Sequence, residues 1–159
     1  MKDKTDGEKY KLTRRDFVKT SAAVAAAFAV GTERMFAAGS DKLRVGLIGC
    51  GGRGRDAVKD CINAAKGVEL VAMGDLFKDR MDKSLEELKK DFADNIKVTG
   101  DTCFVGFGAY QKVIASGVDM VILADPPHFR PIHLKAAIEA DKHVFMEKPA
   151  GVDPAGFVL

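Results

Sequence analysis

The chain has 159 residues, a length that as a prior means one domain, and its 47% hydrophobic and 30% charged residues exclude a disordered or fibrous protein. The net charge of +2 belongs to the first 39 residues, where 8 Lys/Arg face 5 Asp/Glu; the other 120 carry 17 against 18, which leaves nucleic-acid binding without electrostatic support. The three cysteines, Cys50, Cys61 and Cys103, have neither C-x-x-C spacing nor a histidine cluster, so no zinc or other metal site is expected, and their odd number argues against a simple disulfide framework.

The first segment with a pattern is Thr13-Arg14-Arg15-Asp16-Phe17-Val18-Lys19. It resembles the bacterial twin-arginine export signal, departing only by Val18 where leucine is usual. A basic stretch precedes it, an alanine-rich apolar run of nine residues (22–30) follows, and Ala37, Ala38 and Gly39 supply small residues near a cleavage point. That run is far short of the roughly 20 residues needed to span a bilayer. No cysteine lies near its end to carry a lipid. Residues 1–39 are therefore expected to be a signal peptide, with the twin-arginine export machinery as partner, no stable membrane anchor, and a periplasmic or extracellular destination.

From Leu43 onward, short apolar runs alternate with segments of helical period, the signature of a parallel α/β sheet. "LRVGLIG" predicts a first strand buried on both faces. Residues 52–65 predict a helix with Ala57, Val58, Cys61, Ile62 and Ala65 on its apolar stripe, and "VELVAMGD" predicts the second strand. A charged helix over 79–92 presents Met81, Leu85, Leu88 and Phe92. A weak third strand is expected near "IKVTG", then a short helix at 108–116, a fourth strand at 119–125, a helix at 131–140 and a fifth strand at 143–147. Asp153-Pro154 is an N-cap and first-turn pair that opens a further helix. The expected fold is a doubly wound Rossmann sheet over residues 40–159, with strand order 3-2-1-4-5.

Gly49-Cys50-Gly51-Gly52-Arg53-Gly54 fits G-x-G-x-x-G, between a strand and a helix, where that pattern marks a dinucleotide site. Gly49 permits the turn, Gly51 lets the backbone approach a pyrophosphate, and Gly54 lets the helix pack closely. Asp75 ends the second strand 26 residues beyond Gly49. A carboxylate there accepts from ribose hydroxyls and repels a 2′-phosphate, which favours NAD, although Lys78 and Arg80 leave NADP open. Arg53 is within reach of the pyrophosphate, or is a solvated surface arginine. Cys50 would lie under the cofactor as a small residue.

Glu147-Lys148-Pro149 closes the fifth strand and delivers Lys148 to the same rim as the glycine loop, since ligands of open α/β sheets bind beyond the carboxyl ends of the strands. An ammonium there suits a proton relay. Together with "KHVFMEKP", the glycine loop, Asp75 and the proline after strand four make the chain resemble the glucose-fructose oxidoreductase, inositol dehydrogenase and MocA (Gfo/Idh/MocA) family, over residues 43–159. The resemblance implies an NAD-dependent oxidoreductase acting on a sugar, sugar acid or polyol, with Lys148 assisting proton transfer. It also implies cofactor contacts at Gly49, Gly51, Arg53, Gly54, Asp75, Pro126 and Glu147, and Cys50 and Asp125, next to these in the same loops, are expected to join them.

Three departures stand out. Asp125 occupies a position where threonine or a small residue is usual. Arg130 replaces a frequent histidine, with His128 and His133 flanking it; either histidine is placed to face the nicotinamide pocket, though His133, inside a helix, reads rather as packing. Asp141 sits where a helix C-terminal glycine is expected. Family members continue into a second α/β domain that supplies substrate contacts and the homo-oligomer interface. The chain is therefore expected to be the cofactor domain alone, truncated, binding NAD weakly without turnover. An NAD-dependent glycosidase and a noncatalytic nucleotide-binding module remain as alternatives.

Overall fold

The computed structural model describes residues 41–158; the expected signal peptide lies outside the described residues. Five parallel strands form one sheet: β1 (Leu43–Ile48), β2 (Val68–Asp75), β3 (Cys103–Val105), β4 (Met120–Leu123) and β5 (His143–Met146), in the order β3-β2-β1-β4-β5. Between them run α1 (Gly52–Ala64), α2 (Lys78–Phe92), α3 (Ala109–Ala115) and α4 (Arg130–Glu139). Strands are added outward on one side of β1 and then, from β4, on the other, so the crevice between the β1 and β4 ends is the switch point of the sheet.

β1 is central, pairing with β2 on one side and β4 on the other, and it is buried from Val45 through Ile48. That is why its sequence is a continuous apolar run. One face of the sheet packs Val45, Leu47 and Leu70 against Val58 and Ile62 of α1 and Met81 and Leu88 of α2. The other packs Ile48, Val121 and Leu123 against Val113 of α3 and Ala137 of α4. α3 lies close because the strands below it carry glycine: a Cβ on Gly46 or Gly74 would come within 2.6 and 2.9 Å of the Val113 methyls.

Three expectations are corrected. β3 is not at residues 96–100. Ile96 makes a single parallel bridge to Leu70, and Ile96 and Val98 are buried in the core, so their alternation reports core anchoring and not a full strand. A 3-10 turn (Gly100–Thr102), closed by a capping box between Thr99 and Thr102, then redirects the chain, and pairing with Met73–Asp75 begins only at Cys103. Ala65 is not on the stripe of α1; it is the extended, exposed C-cap. Asp153 does cap a turn, its Oδ1 accepting from the Gly156 N–H at 2.9 Å, but the turn is 3-10 (Pro154–Phe157) and not α. Asp141, in contrast, has the left-handed φ of 55° expected of a glycine position.

Candidate active site: a cleft at the carboxyl ends of the strands

The loop after β1 is set by close backbone approaches. Gly49 has φ 90°, and a Cβ there would stand 2.4 Å from the Asp125 nitrogen, so the loops after β1 and β4 touch at this point and only glycine fits. Gly54 performs the same service one turn into α1, where an added Cβ would meet the Gly49 carbonyl oxygen at 2.0 Å. Gly51, the N-cap of α1, has open space where its side chain would be. Asp75 holds the loop in register: its Oδ2 accepts from the Cys50 N–H at 2.6 Å and its Oδ1 from the Phe77 N–H at 2.9 Å.

A cleft of about 280 Å³ lies in front of this loop. Gly49, Gly51, Asp75, Asp125 and Pro126 of the expected site residues line it. Aromatic residues line it as well: Phe77 beyond β2, Phe107 and Tyr110 around the start of α3, Phe129 and His133 at α4. Sequence reasoning missed this aromatic wall, since its members come from three separate loops. The half-exposed Phe77 and largely exposed Phe107 were the available signal, visible only once burial is known. Arg80 also lines the cleft, with its guanidinium over the Phe77 ring, 5.2 Å from the centroid.

Other expected residues sit differently. The Cys50 side chain points into the core, 1% exposed, with its thiol donating to the Gly74 carbonyl; burial first, and then the Asp75 carboxylate, raise its pKa well above the ordinary thiol range. Only its backbone is available at the loop. Arg53 and Glu147 find each other: Nη2 lies 2.5 Å from Oε1, tying α1 to the end of β5, with Asp60 at 3.6 Å. Lys148 is exposed beyond β5, outside the cleft lining, and its peptide bond to Pro149 is cis.

Arg130, at the position where histidine is frequent, is among the cleft-lining residues and is not a surface residue. It is 6% exposed, and it donates from Nε to the Asp125 carbonyl at 2.8 Å and from Nη1 to the carbonyls of Glu147 at 2.8 Å and Pro149 at 2.7 Å. The guanidinium thus latches the loops after β4 and β5 together. Beside it, His133 stacks on Tyr110 with ring centroids 4.1 Å apart, and its Nδ1 lies 3.2 Å from Asp125 Oδ2. Packing and lining the cleft are both true of His133. His128, exposed and edge-on to Phe129, does not line the cleft. No group of acidic, histidine or cysteine residues among the described residues is placed to hold a metal.

A parallel sheet of this order, with a glycine loop at its switch point and an acid at the end of β2, defines a dinucleotide-binding Rossmann domain. The chain belongs to the Gfo/Idh/MocA oxidoreductases: the model of that family, described as an oxidoreductase family with NAD-binding Rossmann fold, matches residues 43–157, and a twin-arginine translocation signal sequence matches residues 11–31. An inositol 2-dehydrogenase from Serratia proteamaculans is 32% identical over 122 residues, covering 72% of this chain and 31% of that protein. The myo-inositol dehydrogenase of Lactobacillus casei, solved with NAD(H) and myo-inositol, superposes with a TM-score of 0.56 at 25% identity, over 72% of this chain and 31% of that one. The scyllo-inositol dehydrogenase of the same organism, solved with NAD(H) and scyllo-inositol, shares the fold with a TM-score of 0.58 at 21% identity, over 74% and 31%. The chain therefore spans about a third of the length of these relatives.

Proposed function

We propose that residues 40–159 are the cofactor domain of an exported, NAD-dependent oxidoreductase acting on a polyol or sugar hydroxyl, inositol-like compounds being the first class to try. The observation that carries the reading is the Gly49–Asp75 assembly. Gly51 leaves the space that a pyrophosphate backbone approach requires, the α1 N-terminus has no side-chain cap competing for its amides, and Asp75 stands at the end of β2 on the cleft. These features fit a dinucleotide. Gly49 and Gly51 would hold its phosphates through backbone N–H groups, Asp75 its adenosine ribose, and Pro126 and Glu147 would bound the nicotinamide half. Bound NAD supplies a hydride acceptor. The chain's own chemical contribution is Lys148, whose Nζ would take the proton of the substrate hydroxyl. The Arg53–Glu147 pair keeps the lysine's segment at the rim of the glycine loop.

Residues 1–39 are read as the signal peptide of twin-arginine export, and the destination as the periplasm or the exterior. Homo-oligomer formation and substrate contacts are assigned to parts of the family architecture outside this domain. The test is titration of the chain with NAD and NADP followed by thermal shift, beside an Asp75→Ala variant. Stabilisation by NAD that the variant loses supports the reading; indifference to both nucleotides refutes it. In the longest natural form of the protein, Lys148→Ala should abolish reduction of NAD by a polyol.

A further inference from the structure

Asp125 is the least expected group in the cleft wall. It is 6% exposed, and neither carboxylate oxygen has a hydrogen-bond partner. His133 Nδ1 is 3.2 Å from Oδ2, within ion-pair distance but outside hydrogen-bond geometry, and has no hydrogen-bond partner of its own. The nearby Arg130 directs its donors to the carbonyls of Asp125, Glu147 and Pro149, and makes no ion pair with the carboxylate among the described residues. A buried carboxyl group is costly unless something compensates it, so one without a hydrogen-bond partner in a cleft wall points to a positive charge across the cleft.

The position narrows the choice of ligand group. A Rossmann domain binds one mononucleotide per half, and Asp75 at the end of β2 marks the adenosine half. Asp125 follows β4, in the other half, against the Gly49 turn. The nicotinamide ring belongs on that side. It is a cation when oxidised and neutral when reduced. Since the Asp125 oxygens are covered, the carboxylate acts through its field and not by contact, and a field in a poorly polarisable wall reaches several ångströms.

We infer that Asp125 is a selectivity residue for the oxidation state of the cofactor, a buried charge at the end of β4 that favours NAD⁺ over NADH. The inference rests on the nucleotide-binding reading above and deepens it. Threonine or a small neutral residue, the expectation at this position, would exert no such bias.

The test is to measure dissociation constants of NAD⁺, NADH and ADP-ribose for the whole chain and for its Asp125→Asn and Asp125→Thr variants, all at one pH. ADP-ribose has the adenosine, pyrophosphate and second ribose but no nicotinamide. The expected result is that the ratio of the NADH constant to the NAD⁺ constant falls about tenfold in both variants, while ADP-ribose binding changes less than about threefold. An unchanged ratio, with all three ligands still bound, overturns the inference and leaves the dinucleotide site standing. Failure of the parent chain to bind any of the three overturns both. The threonine variant guards against misfolding of the asparagine one, and a melting curve for each identifies it.

Discussion

Removing the Arg130 guanidinium should be the most damaging single change at the site. Three carbonyl oxygens, those of Asp125, Glu147 and Pro149, accept from it at 2.7–2.8 Å, and the residue is 6% exposed. Hydrogen bonds from a charged donor contribute about 1.5–3 kcal/mol each, and partners left buried and unpaired lose their solvation as well. Because the three share one side chain, the terms do not add fully, and Arg130→Met is expected to cost about 4 kcal/mol. For a folded unit of this size that is roughly a 16 °C fall in melting temperature. Arg130→Lys keeps the charge but lacks the planar fork that reaches three acceptors, and should recover less than half of the loss. The assay is thermal unfolding followed by circular dichroism, repeated in urea. A fall of less than about 3 °C for the methionine variant would refute the latch, because it would mean the three carbonyls find other donors or water at little cost.

Gly54→Ala places a methyl 2.0 Å from the Gly49 carbonyl oxygen, so it should destabilise the chain by about 2–3 kcal/mol and abolish NAD-dependent stabilisation, both read in one thermal-shift series. Asp141→Gly relieves a left-handed residue at the end of α4 and should raise stability by about 0.5–1 kcal/mol in a denaturant titration. Of the three thiols, Cys50 should react with an aromatic disulfide reagent only after unfolding, whereas the partly exposed Cys61 and Cys103 react in the native chain. Because burial raises the Cys50 pKa, the folded chain keeps a proton that the unfolded chain releases. Its contribution to stability is complete below the ordinary thiol range and declines as pH rises above it, which alkaline melting curves will show. At the opposite extreme, Arg44 hydrogen-bonds Asp119 and holds that carboxyl below its ordinary value. The pair's contribution is present above the unfolded carboxyl's range, vanishes as pH falls through the lower folded value, and should be missing from the acid melting curve of Asp119→Asn.

The strands, the helices and the strand order were legible because each element of a doubly wound sheet advertises itself locally. A strand covered on both faces must be apolar throughout, as β1 is, and an amphipathic helix must repeat its apolar residues every three to four positions, as α2 does. The glycine loop was legible for a related reason: the absence of a Cβ at Gly49 and Gly54 is itself a statement about backbone approach. The error at β3 shows the limit of that logic. Ile96 and Val98 alternate like a strand because both are buried, and burial without continuous pairing leaves the same mark in the sequence.

What the sequence by itself determined about this protein is its class: the leader pattern, the Rossmann order, the acid at the end of β2 and the lysine after β5 all lie in short contiguous stretches whose residue types carry their own physical meaning. Only the tertiary structure decided the partners. That Arg53 meets Glu147, that Arg130 joins two loops from within, that Cys50 faces the core, and that Asp125 is left buried without a donor beside His133 are contacts between segments 5 to 94 residues apart, or orientations about a single backbone position. Residue type limits what a side chain can do, whereas the packing of distant elements settles which atom it reaches and how much water remains around it.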